Sequence, residues 1–311
     1  SDNKATLISI LDNTSTPMGA RLLRKNINEP LMSKKEINTR LNLIDEFLIH
    51  YMGDKNILDK LQSISDIPRI ISKISVGKSN PRDLINLYQS LNSISSIEHY
   101  ISKNNLLHQI LKKTKNIKIV CNKISKSIVD DPPVKLNKGG FIKVGISKEL
   151  DKFKALSDNA NQWLVDYQVK QKEITGISSL KIGYNKIFGF YIDVTKVHIK
   201  KIPDNYIRKQ TLANSERYFT MELKDYEEKI LSAEEKIISI ENKIYTDVVN
   251  YILKYIDDIQ YNSQAISKLD VIVSHSLNAY NNNYYKPIIK SKNSKMILKK
   301  SRHPVIEKLL P

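Results

Sequence analysis

The sequence predicts a mainly α fold with a small inserted β domain: a helical core bundle, a long antiparallel two-helix arm, and a β-rich unit at the arm's tip. Three observations predict it. Gly (9) and Pro (10) are scarce among 311 residues, which favours long helices over a loop-rich or all-β chain. Two stretches carry apolar residues at helical spacing over many turns. Between them the pattern switches to period-2 alternation, the signature of strands.

The first 130 residues read as a helical bundle. Thr16-Pro17 is an N-cap followed by Pro at the first helical position, opening a helix over Met18 to Asn26. Ser33 and Glu36 form a capping-box pattern ahead of Ile37, Leu41, Ile44 and Leu48. Asn80-Pro81 repeats the cap-then-Pro signal before Leu84, Leu87, Leu91, Ile94 and Ile97. Asp130-Asp131-Pro132-Pro133 stops the helices, and Lys138 to Ile142 reads as a turn and short strand. From Lys148 one long helix is expected, with a coiled-coil-like seam of Phe153, Ala160, Tyr167 and Ile174, ending at Gly176. At about 27 residues it spans roughly 40 Å. A second seam, Leu223, Tyr226, Ile230, Ala233, Ile237, Ile240 and Ile244, alternates steps of three and four, and the helical pattern continues through Ile252, Ile256, Ile266 and Leu269. Because the chain leaves one helix, makes a β unit and returns, the two seams are expected to pair antiparallel.

In the β unit, Phe188, Phe190, Ile192 and Val194 alternate with Gly189, Tyr191, Asp193 and Thr195. Tyr184-Asn185-Lys186 is the expected hairpin turn, after a strand over Ser179 to Gly183. Tyr206 to Leu212 and Glu216 to Thr220 read as a second strand pair around Ala213-Asn214-Ser215. Phe188, Phe190 and Tyr218 read as small-sheet core, and Glu216 beside Arg217 as a salt link.

The formal charge of +17 (pI about 9.6) fits a polyanionic partner, but lysines are spread over the whole chain, so a localised feature must decide. The β unit supplies one. From Gly176 to Thr220 eight basic residues face three acidic ones, leaving +5. Asn185, Lys186, Arg208, Lys209, Gln210, Asn214 and Arg217 are the candidate phosphate contacts, since they join positive charge to amide donors. Such contacts position a protein on double-stranded DNA without reading bases, and nothing resembles a recognition helix. The six histidines are scattered without metal-ligand spacing, and no Ser/His/Asp arrangement can be assigned, so the chain reads as no enzyme and with no catalytic or metal site of its own. Gly77-Lys78-Ser79 imitates the end of a Walker A motif, but Ser72 stands where its first Gly belongs and a helix precedes it. Cys121 is alone, which fits a reducing compartment. No apolar run is long enough to span a membrane, and the polar Ser1-Asp2-Asn3-Lys4 reads as no signal peptide.

Several segments, in order, resemble the MutS mismatch-repair family. They are Thr6 to Asp12 with Thr16 to Leu23, Asn80 to Leu84 with Ser90-Leu91, and Glu149 to Asp151. Gly176 to Ile192, Tyr206 to Leu212 with Asn214 and Glu216-Arg217-Tyr218, Glu222 to Lys224 and Leu269 to Val271 continue the likeness, and Arg302 to Glu307 looks like the entrance strand of the family's ATPase domain. The resemblance implies a helical core at 1–147, a descending lever helix at 148–176, a DNA clamp at 177–220, returning lever helices at 221–286 and the start of the ATPase domain at 287–311. It implies a parent protein that uses ATP and Mg beyond residue 311, with no cofactor in this chain, and that is homodimeric, cytoplasmic and nucleoid-associated, with downstream repair partners. Two other readings stay open: a coiled-arm module that binds protein, which would not need a basic β tip, and a MutS paralogue acting in recombination.

Overall fold

The computed structural model describes residues 6–101, 103, 105–111, 117–185, 187, 189–290 and 295–309. Lys186 and Phe188, and the side chain of Ala160, lie outside the described residues. The chain forms two compact units, residues 1–134 with 247–311, and residues 135–246.

The first unit is helical. Its helices are α1 (Leu7–Leu11), α2 (Pro17–Asn28), α3 (Lys34–His50), α4 (Lys55–Gln62), α5 (Ile67–Ser75), α6 (Pro81–Tyr100), α7 (Leu106–Leu111), α8 (Ile117–Ser127), α12 (Ile256–Asn281) and α13 (Pro304–Leu309). The expected caps are in place. Thr16 accepts from the Gly19 amide ahead of Pro17, and Asn80 and Asp83 form a reciprocal capping box ahead of α6. Ser33 accepts from the Glu36 amide, which is one half of the expected capping box; the reciprocal bond from the Glu36 side chain is not formed. All five apolar positions read for α6 are fully buried.

The core gathers on α12, which packs against α2, α3, α5 and α7. It is buried nearly all round although it carries several serines, because Ser267 and Ser276 donate to their own i−4 carbonyls, each at 2.8 Å. Its Asp270 is fully buried. One oxygen accepts from the Ser15 amide (2.9 Å), the other from the Thr16 amide and hydroxyl (2.8 and 2.7 Å). Burial pushes this carboxyl up from its ordinary value, against the pull of those donors. Gly19 is required beside it, since a Cβ there would stand 2.1 Å from Asp270 Oδ2.

The second unit holds α9 (Lys148–Asp158), α10 (Ala160–Thr175), β1 (Lys181–Asn185), β2 (Gly189–Thr195), β3 (Ile207–Thr211), β4 (Ser215–Phe219) and α11 (Met221–Leu253) as far as residue 246. The expected single helix is two, interrupted at Asn159, which ends α9 through its backbone amide and precedes α10 without a side-chain cap. The helices pair antiparallel with α11. Lys170 meets Glu222 at 3.0 Å, Trp163 stacks on Tyr226 at 3.5 Å, and Lys236 lies over Phe153 at 5.0 Å. Every member of the second seam is buried or half-buried. The first seam fails at Ile174, which is 59% exposed, while Gln171 and Thr175 are buried. At that end α10 packs on the sheet, so the buried face turns toward residues 171 and 175. Gly176 ends α10 in the left-handed conformation (φ 62°).

Two further expectations are corrected. Gly139 to Ile142 forms no extended strand, only an isolated bridge at Ile142. The Phe141 and Ile142 amides instead donate to the fully buried Glu241 of α11, at 3.3 and 3.4 Å, and Lys154 Nζ reaches that carboxylate at 2.7 Å. Residues 295–303 form no entrance strand, and Pro304 opens α13, as Pro at a first helical position favours.

Candidate nucleic-acid interface

The sheet is antiparallel throughout, in the order β1-β2-β4-β3. Its strands lie close to where the alternation predicts: β1 runs from Lys181 to Asn185 instead of Ser179 to Gly183, and β4 takes in Ser215 and ends at Phe219. The inner face buries Ile192, Val194 and Tyr218 against Tyr167 of α10 and Leu223 of α11. Hydroxyls fix the sheet on the helices. Tyr167 Oη lies 2.5 Å from Thr220 Oγ1, which also accepts from the Leu223 amide and so caps α11. Tyr206 Oη donates to Gln171 Oε1 at 2.7 Å. Burial raises both phenols above their ordinary value, so they stay neutral donors.

The outer face carries one row across all four strands: Lys181, Asp193, Arg217 and Gln210 stand opposite one another in register. Arg217 is not free. It lies 4.1 Å over the Tyr191 ring and donates to Gln210 Oε1 at 3.0 Å. Tyr191 in turn covers Gly183, where a Cβ would come within 2.6 Å of the ring. The expected salt link of Glu216 with Arg217 is absent among the described residues, because neighbours on a strand point to opposite faces. Glu216 instead meets Arg208 at 3.7 Å and accepts a hydrogen bond from the Tyr218 hydroxyl. A register shift between Arg208 and Gln210 makes this possible. The extra residue, Lys209, puts Arg208 and Gln210 on opposite faces, and Lys209 Nζ lies 5.3 Å over the Phe219 ring.

The remaining candidates lie at opposite ends of the sheet. Asn185 pairs with Gly189 and accepts from the Ile187 amide at 2.8 Å, as a turn former does. This end faces α11, whose Glu227 accepts from the Phe190 amide at 3.3 Å. A Cβ at Gly189 (φ 70°) would sit 1.8 Å from that carboxylate. Asn214 lies in the exposed β3–β4 turn at the other end, and its carbonyl accepts from the Lys196 amide at 3.1 Å. The structure therefore pairs Gln210 with Arg217 on the outer face, turns Arg208 to the opposite face with Glu216, and sets Asn185 and Asn214 at the two ends of the sheet. Sequence reasoning missed Glu227, whose partner lies 37 residues away with no local signal.

The Walker-like stretch offers no phosphate cradle. The Gly77 and Lys78 amides donate to the carbonyls of Ile74 and Lys73, closing the end of α5. Among the described residues no group of three or more His, Cys, Asp or Glu could hold a metal, and no helix is long and apolar enough to cross a membrane.

The family model for MutS domain III matches residues 1–276. The chain belongs to the MutS domain III family. Its relatives include the DNA mismatch repair protein MutS of Bacteroides thetaiotaomicron, 41% identical over 312 residues, covering all of this chain and 36% of that protein. The DNA mismatch repair proteins MutS of Clostridium tetani (40% identical, 99% of this chain, 35% of that protein) and Methanosarcina mazei (39%, 97% and 34%) are similar over the same span. The chain thus covers about a third of the length of the curated relatives it matches. A four-stranded antiparallel sheet in a mostly helical chain agrees with that family.

Proposed function

We propose that this chain is the core, lever and clamp portion of a MutS-type mismatch-repair protein, and that its small sheet holds duplex DNA by the phosphates without reading sequence. The observation that carries this reading is a basic four-stranded sheet between two antiparallel helices, in a chain about 40% identical to MutS proteins. In this reading 148–176 and 221–286 form the lever that links the clamp to an ATPase domain of the parent. Arg208 and Lys209 touch phosphate and Asn214 touches it separately at the β3–β4 turn, while Gln210 hydrogen-bonds Arg217 and the Tyr191 ring supports it. The chain itself hydrolyses no ATP. The parent works in the cytoplasm, as a homodimer with repair partners. A protein-binding arm and a recombination paralogue are less favoured, since the relatives are mismatch-repair proteins.

Fluorescence anisotropy with a short duplex at several salt concentrations tests the reading. Weak, sequence-independent binding with a steep salt dependence is expected, because each neutralised phosphate releases counterions. A perfect duplex and a mismatched one should bind alike. Binding that is absent, or insensitive to salt, would sink the assignment.

A further inference from the structure

Of the cations picked from sequence, the three that are described already have partners: Arg208 has Glu216, Lys209 has the Phe219 ring, and Arg217 has Tyr191 and Gln210. The uncommitted ones lie elsewhere. Between β2 and β3 the chain makes a 3-10 helix, Lys196–Lys201, reading Lys-Val-His-Ile-Lys-Lys. Lys196, Lys200 and Lys201 are exposed, and among the described residues no ion pair engages any of them. Val197, 83% exposed, stands among them.

The position of this helix is fixed at both ends. Its first amide donates to Asn214 in the β3–β4 turn. Ile202, just after it, packs on the sheet's buried core with Tyr206. It therefore starts at the sheet end remote from Glu227, and the two ends differ in charge. At the α11 end a carboxylate sits against the chain at Gly189 and Phe190. At the other end Glu216 is tied to Arg208 and Tyr218, while Asp193, on the outer face, has one oxygen buried without a hydrogen-bond partner. Asp204 is the single acidic residue between 196 and 206.

We propose that Lys196–Lys201 is a phosphate-binding strap: Lys196, Lys200 and Lys201, beside the Asn214 turn, take up one strand's backbone and carry more of the duplex contact than Arg208 and Lys209. From Lys196 to Lys201 a 3-10 helix rises about 10 Å. Along the duplex axis that length holds about three phosphates of one strand, at ~3.4 Å each. Among the described residues these three lysines have no ion pair to give up on binding.

The proposal rests on the duplex-binding reading above, and one titration separates the two. The 311-residue chain and its K196A/K200A/K201A variant are titrated with a fluorescent duplex from low to high salt, with circular dichroism confirming equal helix content. The slope of log affinity against log salt should fall by about 2.7, or ~0.9 per lysine, and K200A alone should remove about one unit. The R208A/K209A variant should lose less than half as much as the triple variant. Salt-dependent binding by the parent chain with an unchanged slope in the triple variant overturns the strap and leaves the function standing, as does a larger loss in R208A/K209A. No duplex binding by the parent chain overturns both.

Discussion

Asp270 in the first unit and Glu241 in the second are both fully buried carboxylates on long helices, yet only Glu241 has a cation. Asp270 meets two backbone amides and a hydroxyl from residues 15 and 16, some 254 positions away. Glu241 meets Lys154 at 2.7 Å and two longer bonds from Phe141 and Ile142, about 100 positions away. Each anchors a distant non-helical segment to a helix. The difference lies in what is stranded when the carboxylate goes. Removing Asp270 leaves three donors buried in a dense core with nothing to replace it. Removing Glu241 leaves Lys154, which is 19% exposed, bonded to the Ile142 carbonyl, and long enough to reach water.

The largest expected effect is therefore Asp270→Ala, at roughly 4 kcal/mol from three unsatisfied donors, read as an earlier urea transition by circular dichroism. Glu241→Ala should cost less, about 2–3 kcal/mol, because only one cation and two weak bonds lose their partner. Its readout can be local, since the chain's one tryptophan, Trp163, lies in the same unit, stacked between Tyr167 and Tyr226. Adding Lys154→Met to Glu241→Ala should recover part of that loss. Equal or reversed costs for the two alanine variants would break the comparison.

The smallest effect is in pH. Asp270 has a folded-state value raised by burial, so the folded state holds its proton more tightly than the unfolded one. Its contribution is most favourable below the ordinary carboxylate value and is lost as pH rises through the raised value. Asp66 runs the other way. The hydrogen-bonded guanidinium of Arg21 lowers it, so its contribution is present above the ordinary value and is lost as pH falls through the lowered one. The pair is partly exposed and contributes at most about 1 kcal/mol. As pH rises above the ordinary carboxylate value, Asp270→Asn should flatten the decline of stability, and Asp66→Asn should leave that decline in place. A steeper decline in Asp270→Asn would sharpen the problem by placing the proton elsewhere.

Much was legible in the sequence because its causes are local. Caps at Thr16 and Asn80 are made by neighbours three residues on. The seam from Leu223 to Ile244 repeats on one helix face, and the strand alternation from Gly189 to Thr195 needs only the pleat. The first seam was legible until Ile174, where its partner changed from a helix to a sheet. The candidate site was less legible. Its residue types were right, but which cation is free depends on cross-strand register. Lys209 as the extra residue in β3 decides that Arg208 meets Glu216, and nothing in the spacing of β3 marks it.

By itself the sequence determined the capped helices from Thr16 and Asn80, the returning helix seam, the approximate places of the four strands, the basic character of the sheet and the family. These follow from period, caps and composition, which act over a few residues, and from a likeness running the length of the chain. The tertiary structure alone decided which charges are spent inside the protein and which are left for a partner. Asp270, Glu241, Glu227 and Glu216 are four similar acids in the sequence. Their roles differ because folding brings each one different donors, from segments that proximity along the chain does not link. The exposed lysines of 196–201 stand out only once their neighbours' partners are known.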